Sequence, residues 1–387
     1  MQVKFYYNQV DKIDSVKRKR VLIYRIGSMG DTIIALPGFH KAVEAFPDAE
    51  LILLANRPPN SKAAAAQTVL GEGYFFHQVI NYPSFTRNPL VLLRLIRQLR
   101  ALKLDAMVNL TTTRIHKTVR LTKLGVLRDK LFFRAAGIKQ FYGFPEVIDD
   151  FLKTYDPASG RLEWEAQRIA RRLEPLGHID LSLDKYWDLH YTQQEQDAAT
   201  GAIKALDPNR PVFAACAGTK RQPNDWEEHN WLALFTALKS DLPGWQLIML
   251  GADDESERAQ KLLDIWGGDG VNLCGKTSPR VSGAVLKHAK LFIGHDSGPM
   301  HLSAAGGTPC IAIYSARNLP GQWFPRGDFN KLIYHRVECA GCLLEECIAQ
   351  QKKCILSITV DEVRKAVAEV IDEQKIDNPG FQSKTKI

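Results

Sequence analysis

Apolar positions along the chain follow two alternating rhythms. Val21 to Tyr24, Glu50 to Ala55 and Asp105 to Leu110 are short apolar runs that read as strands. Between them Leu36, Phe39, Val43 and Phe46, and then Pro89 to Leu102, recur at helical spacing. A charged amphipathic stretch from Glu163 to Leu176 reads as a helix, and periodicity weakens from Gly177 to about Leu206. The alternation then resumes with strands at Val212 to Cys216, Gln246 to Leu250, Leu291 to Gly294 and Cys310 to Tyr314. Helices are expected at Trp231 to Leu238, Glu255 to Trp266, Val281 to Ala289 and Pro299 to Ala305. Thr359 and Glu362 fit a capping box ahead of a last helix, and the tail from Lys375 is polar.

Two successive strand-helix series predict an α/β protein of two Rossmann-like domains facing across a cleft. We expect an N-terminal extension over 1–20, a first domain over 21–190, a second over 191–360, and a C-terminal helix and tail over 361–387. The 387 residues exceed what a single core usually holds. The first twenty residues have scattered charges and no apolar core, and no run approaches the ~18 apolar residues of a membrane span, so a cytoplasmic protein is expected.

Composition changes this picture little. With 45% hydrophobic and 24% charged residues the chain is of ordinary globular type, and its formal charge of +8 favours anionic partners. Among seven cysteines, Cys216, Cys274 and Cys310 sit in apolar runs and read as buried thiols. Cys339, Cys342, Cys347 and Cys354 crowd into sixteen residues, a spacing that would let four thiolates hold a structural zinc or iron ion.

In open α/β sheets ligands bind beyond the carboxyl ends of strands, where loops enter helices. Two loops fit that position. One runs from Arg25 to Asp31 and contains Gly27 and Gly30, which allow close approach to the backbone. The other runs from Gly294 to His301, where free N–H groups at a helix start suit a diphosphate. Neither contains the GxGxxG or GxxxxGK[ST] fingerprint, which argues against a dehydrogenase or a P-loop enzyme.

The stretches VLIYRIGSMGDTIIALPGFHKAVEAFPDAELILLAN, NLCGKTSP and FIGHDSGPMHLSAAGGTPCIAIY resemble glycosyltransferase family 9, the family of the ADP-heptose–lipopolysaccharide heptosyltransferases. The likeness runs in order from about residue 20 to about residue 370. It implies a GT-B fold, with the acceptor on the N-terminal domain and the nucleotide sugar on the C-terminal one, and inverting transfer without a catalytic metal or other cofactor. By position it makes Asp31 the general base, with Gly30 beside it at the acceptor. It places Asp296, Ser297, Gly298 and His301 at the donor diphosphate, and Thr277 and Glu255 at the nucleoside. Family members often carry a Lys two residues before a Trp in the first loop of the donor domain. Here Asn224 holds that place before Trp226, and Lys220 or Arg221 from a longer loop is expected to substitute, Lys220 first.

On this likeness the donor is a nucleotide-diphosphate sugar, ADP-heptose above all, and the acceptor a lipopolysaccharide core or related anionic glycan or glycolipid. A protein acceptor belongs to the same class, and a sugar-nucleotide epimerase of similar two-domain form is the rival. Arg94, Arg97, Arg100 and Lys103 form a basic stripe, and Arg114, His116, Lys117 and Arg120 follow a strand end. Arg114, Lys117 and Arg120 read as an anionic acceptor site. The stripe reads as a solvated face or as one resting on the acidic inner leaflet, which would make the protein peripheral to the inner membrane. No nucleic-acid recognition motif accompanies the charge.

Overall fold

The computed structural model describes residues 18–56, 64–83, 86, 88–113, 119–151 and 155–376. In its first half, strands β1 (Arg20–Arg25), β2 (Glu50–Asn56), β3 (Gln78–Tyr82), β4 (Ala106–Asn109) and β5 (Gln140–Tyr142) alternate with helices α1 (Met29–Ile34), α2 (Leu36–Ala45), α3 (Ala66–Leu70), α4 (Pro89–Ala101) and α5 (Val119–Ala135). A short antiparallel pair, β6 (Tyr155–Asp156) and β7 (Arg161–Leu162), then leads to α6 (Glu165–Arg172) and α7 (Gln193–Ala202).

The second half repeats the scheme. Strands β8 (Val212–Cys216), β9 (Gln246–Met249), β10 (Gly270–Asn272), β11 (Phe292–His295), β12 (Cys310–Tyr314) and β13 (Lys331–Tyr334) are joined by α8 (Glu228–Asp241), α9 (Ser256–Ile265), α10 (Pro279–Leu286) and α11 (Gly298–Ala305). Helices α12 (Lys353–Leu356) and α13 (Val360–Glu373) follow the last strand.

The first sheet has the order β3-β2-β1-β4-β5 and the second β10-β9-β8-β11-β12-β13, parallel throughout. Strand order reverses between β1 and β4 and again between β8 and β11, and the loops leaving these central strands are where such sheets bind ligands. Both loops singled out in the sequence lie at these reversals.

Side-chain alternation explains the layers. Val21 and Ile23 of β1 and Ala214 and Cys216 of β8 enter one continuous core shared by the two halves. Leu22 and Tyr24 face the opposite way, under α4 and α5. Phe213 and Ala215 face a third core built on α8, α9 and α13. Because their strands are buried on both faces, they read as unbroken apolar runs.

Helix starts follow their capping residues. Asn88 accepts from the Leu90 N–H at 2.9 Å ahead of Pro89, and Ser278 accepts from Val281 N–H at 3.2 Å ahead of Pro279. The capping box read from Thr359 and Glu362 is present at α13, whose Val363, Val367, Val370 and Ile371 join the core around α8.

Candidate active site

A cleft of about 930 Å³ separates the two sheets, and the loops after β1, β8, β9 and β11 line it. Gly30, Asp31, Lys220, Glu255, Thr277, Asp296, Ser297, Gly298 and His301, all expected at a site, lie on its walls. Topology is what gathers them: β1 of the first sheet and β8 to β12 of the second end at one opening.

Asp31 is the third residue of α1, not its N-cap. Ser28 holds that cap, and its backbone N–H and hydroxyl both donate to Asp31 Oδ2, at 2.7 and 2.6 Å. One carboxylate oxygen is therefore fixed by the capping box, while Oδ1 lies 3.9 Å from Nη2 of Arg25. Arg25 is wholly buried, with Nη1 donating to the Leu110 carbonyl at 2.5 Å. Among the described residues its Nε and Nη2 have no hydrogen-bond partner. Burial works against its charge and Asp31 works for it.

On the other wall, Ser297 is the N-cap of α11, yet its side chain makes no capping bond, and its buried hydroxyl has no partner among the described residues. A buried polar group without a partner is costly, and an anion on the adjoining amides would supply one. Burial, and then the charge of Asp31, push the Asp296 carboxyl up to about 7, against a pull downward from its hydrogen bond with Asn318. Raised this far, the carboxyl can hold a proton and donate it in a hydrogen bond. His301 is buried, which brings its imidazole down to about 4. Its Nε2 sits 3.9 Å from Asp296 Oδ1, and with a neutral ring that approach is a contact and not an ion pair.

The glycines of the two loops serve each other. A Cβ on Gly30 would fall 2.7 Å from Cδ2 of His301, and one on Gly298 would fall 2.5 Å from Sδ of Met29. The close approach that the glycines permit is thus first of all between the two halves of the chain.

Nearer the nucleoside end, the Glu255 carboxylate accepts from Ala252 N–H at 2.9 Å and fills the space beside Gly218 and Gly251, where no Cβ would fit. Thr277 Oγ1 is 2.8 Å from Ser282 Oγ. Asn224 is buried and accepts from Ser315 Oγ at 2.6 Å, and Arg221 is drawn to Glu345, so Lys220 is the exposed cation of that loop.

The profile of glycosyltransferase family 9 (heptosyltransferase) matches residues 166–353, the stretch that contains every donor-side residue above. Along that stretch the chain is similar to glycosyltransferase family 9. Over 153 residues the chain is 30% identical to lipopolysaccharide heptosyltransferase 3 of Escherichia coli, a match covering 37% of the chain and 42% of that protein. It spans less than half the length of the curated relatives it matches. Its fold is that of a family 9 glycosyl transferase from Veillonella parvula, at 17% identity and TM-score 0.66 over 92% of this chain and 98% of that one. The E. coli heptosyltransferase WaaC, solved with ADP, shares it at 20% identity and TM-score 0.58 over 91% and 99%.

Arg120 and the cysteine cluster are placed differently from expectation. Arg120 is exposed on the first turn of α5 and is not part of the cleft wall, while Arg114, His116 and Lys117 lie outside the described residues. Cys339, Cys342, Cys347 and Cys354 do border one small hollow, away from the cleft. However, no group of three or more Cys, His, Asp or Glu among the described residues is arranged to hold a metal ion. The structural zinc or iron expected there therefore has no ligand set. Cys347 Sγ accepts from Lys352 N–H at 3.4 Å, and burial pushes the Cys354 thiol upward. Cys216, Cys274 and Cys310 are buried as read, which raises all three thiols.

Sequence reasoning missed Arg25, Arg317 and Asn318, the last two also in the cleft wall. A charge closing the apolar run of β1 was the available signal for Arg25. Arg317 offered none, since its role depends on the carbonyls of Leu343 and Leu344, which it reaches at 2.9 and 2.5 Å.

Proposed function

We propose that this chain is an inverting glycosyltransferase that moves heptose from ADP-heptose onto a lipopolysaccharide core or related bacterial surface glycan. The observation that carries the reading is that one cleft is lined by both the Asp31 carboxylate and the unpartnered Ser297 hydroxyl at the start of α11. A nucleophile must be deprotonated on one side of the anomeric carbon while a diphosphate departs on the other, and those are the two facilities these loops provide.

In the proposed step an acceptor hydroxyl attacks the anomeric carbon. The new C–O bond forms as the bond to the diphosphate oxygen breaks, its electron pair leaves with the nucleotide, and the hydroxyl proton passes to Asp31. Ser28 holds Oδ2 in the capping box, which leaves Oδ1 to receive that proton. Charge growing on the diphosphate meets the Ser297 hydroxyl, the free amides of α11 and Lys220, all in place beforehand. Glu255, wedged beside Gly218 and Gly251, is assigned to the ribose, and Thr277 to the base. The protonated fraction of Asp296 supplies a further donor. The acceptor enters along Gly30. Acceptors of this type are displayed at the cytoplasmic leaflet, and the chain is assigned to that compartment; among the described residues no helix is long and apolar enough to cross a membrane.

The test is Asp31→Asn. Turnover should fall by about two orders of magnitude with donor affinity nearly unchanged. Near-normal turnover would remove Asp31 from the mechanism. A thermal-shift panel of ADP-, GDP-, UDP- and dTDP-linked ligands should favour ADP. Nucleotide release that does not depend on added acceptor would transfer the reading to an epimerase. Release with a polypeptide but not with a glycan would shift the acceptor to protein.

A further inference from the structure

The outer faces of α4 and α5 have no role in the cleft, and they share an unusual surface. Both helices cover the same side of the first sheet: Leu95 and Leu99 of α4 and Phe133 of α5 enter the core beneath Leu22 and Tyr24. Their opposite faces therefore look away from the protein. On that side Leu124, Leu127 and Leu131 of α5 recur at helical spacing and are 52%, 52% and 56% exposed, and Leu90 and Leu93 of α4 are 71% and 47% exposed. Scattered single leucines would need no explanation, but a stripe on two neighbouring helices does.

The charges on the two helices are almost all of one sign, although Glu146 lies 3.8 Å from Lys130 of α5. Together α4 and α5 contain eight Lys and Arg against one acid, Asp129, which is paired with Arg128 at 2.7 Å. Arg94, Arg97 and Arg100 flank the leucines of α4, and Arg120, Arg128 and Arg134 those of α5, all exposed. Each has an aliphatic stem that can lie along an apolar layer while its head stays among phosphates.

We infer that the α4–α5 face docks the protein on an anionic lipid surface, with the leucines entering the interface and the arginines on lipid phosphates. Apolar side chains interleaved with basic ones on an exposed helix are what an anionic bilayer interface takes up. A second copy of the chain would present the same cations to themselves and be repelled, and a nucleic acid would leave the leucines in water. Among the described residues no helix can span a bilayer, so contact would be through such a face. The inference does not rest on the sugar-transfer reading: loss of vesicle binding would leave turnover of a soluble acceptor intact.

The experiment is co-sedimentation of the full chain with phosphatidylcholine vesicles, with and without roughly 30% phosphatidylglycerol. Binding is expected on the anionic vesicles, about tenfold or more above the neutral ones, and weakening as salt is raised. The triple variant Leu124→Ser/Leu127→Ser/Leu131→Ser should lose about tenfold in binding while its circular-dichroism melt matches the parent, because these side chains are largely in solvent. Arg94→Gln/Arg97→Gln should reduce binding and flatten its salt dependence. Equal binding to both vesicle types, no binding to either, or an unchanged triple variant would overturn the inference. So would a dimer in solution that the triple variant dissociates, which would assign the face to a second chain.

Discussion

The imidazole of His301, one turn into α11, lies against the backbone of Gly30 in α1, leaving no room between them for a methyl group. His301 is buried and cannot swing aside, so the start of each sheet's central helix is set by the other. Gly30→Ala should overpack this junction at a cost of about 1–3 kcal/mol, lowering the melting temperature by several degrees and turnover with it. His301→Ala in the same chain should recover much of the melting temperature. A Gly30→Ala protein that melts like the parent would mean that the two loops part freely.

A second junction lies on the far side of the cleft, at Arg280 of α10. Its Nη1 donates to the carbonyls of Leu70 at 2.5 Å and Leu189 at 2.9 Å, and its Nη2 to that of His190 at 2.8 Å. Nε and Nη2 also reach the Glu195 carboxylate at 2.5 and 2.8 Å. One buried guanidinium thus joins the first half, the connecting segment and the second half. Arg280→Met should destabilise the fold by about 3–5 kcal/mol, since it strands Glu195 and three carbonyls. Arg280→Lys should rescue little, because an ammonium cannot reproduce the fork. Thermal unfolding decides this, and full rescue by lysine would reduce the site to a point charge.

These two junctions mark where the sequence stops being informative. Strands such as β8 and β12 were legible to the residue because both their faces are buried and their apolar runs are unbroken. Helix α5 escaped notice: Gly125 interrupts it, and Leu124, Leu127 and Leu131 face solvent, so its apolar positions do not mark one buried stripe. The short strands β5 and β10 offer three residues each, too few to show a period. At the site, the turn residues were legible because glycines and helix starts are local signals. Arg280 acts through partners from Glu195 back to Leu70, and His301 through Gly30 in the other half, and nothing near them in the chain announces that.

Acid should weaken the fold well above the range of carboxylate protonation. His295 is wholly buried, its Nε2 accepts from Trp226 N–H at 3.1 Å, and its Nδ1 lies 3.2 Å from the Gly218 carbonyl, a set that suits only the neutral ring. Burial brings His295, His301 and His40 each down from 6.5 to about 4. Between those values the unfolded chain binds more protons, so the stability these rings contribute above pH 6.5 is lost as pH falls toward 4. Asp296, raised from 3.8 to about 7, runs the other way: its contribution is present at low pH and fades as pH rises through 7. Three rings outweigh one carboxyl, so the melting temperature should drop between pH 6.5 and 4. His295→Gln should make that drop shallower, and a slope unaltered by the substitution would clear His295 of any part in it.

Ser297 offers the sharpest separation of binding from stability. Its buried hydroxyl has no partner among the described residues, so Ser297→Ala forfeits no hydrogen bond within the protein and removes a polar atom from a place where it is costly. The variant should melt at the parent's temperature or slightly above. If the hydroxyl serves a diphosphate, the same change removes a bond to a charged group, worth about 1.5–3 kcal/mol, or roughly tenfold to a hundredfold in nucleotide-sugar affinity. Calorimetric titration of ADP into both proteins measures the loss directly. Undiminished affinity in a stable variant would show that the diphosphate lies away from the start of α11, and the pairing of this helix with Asp31 would lose its chemical meaning.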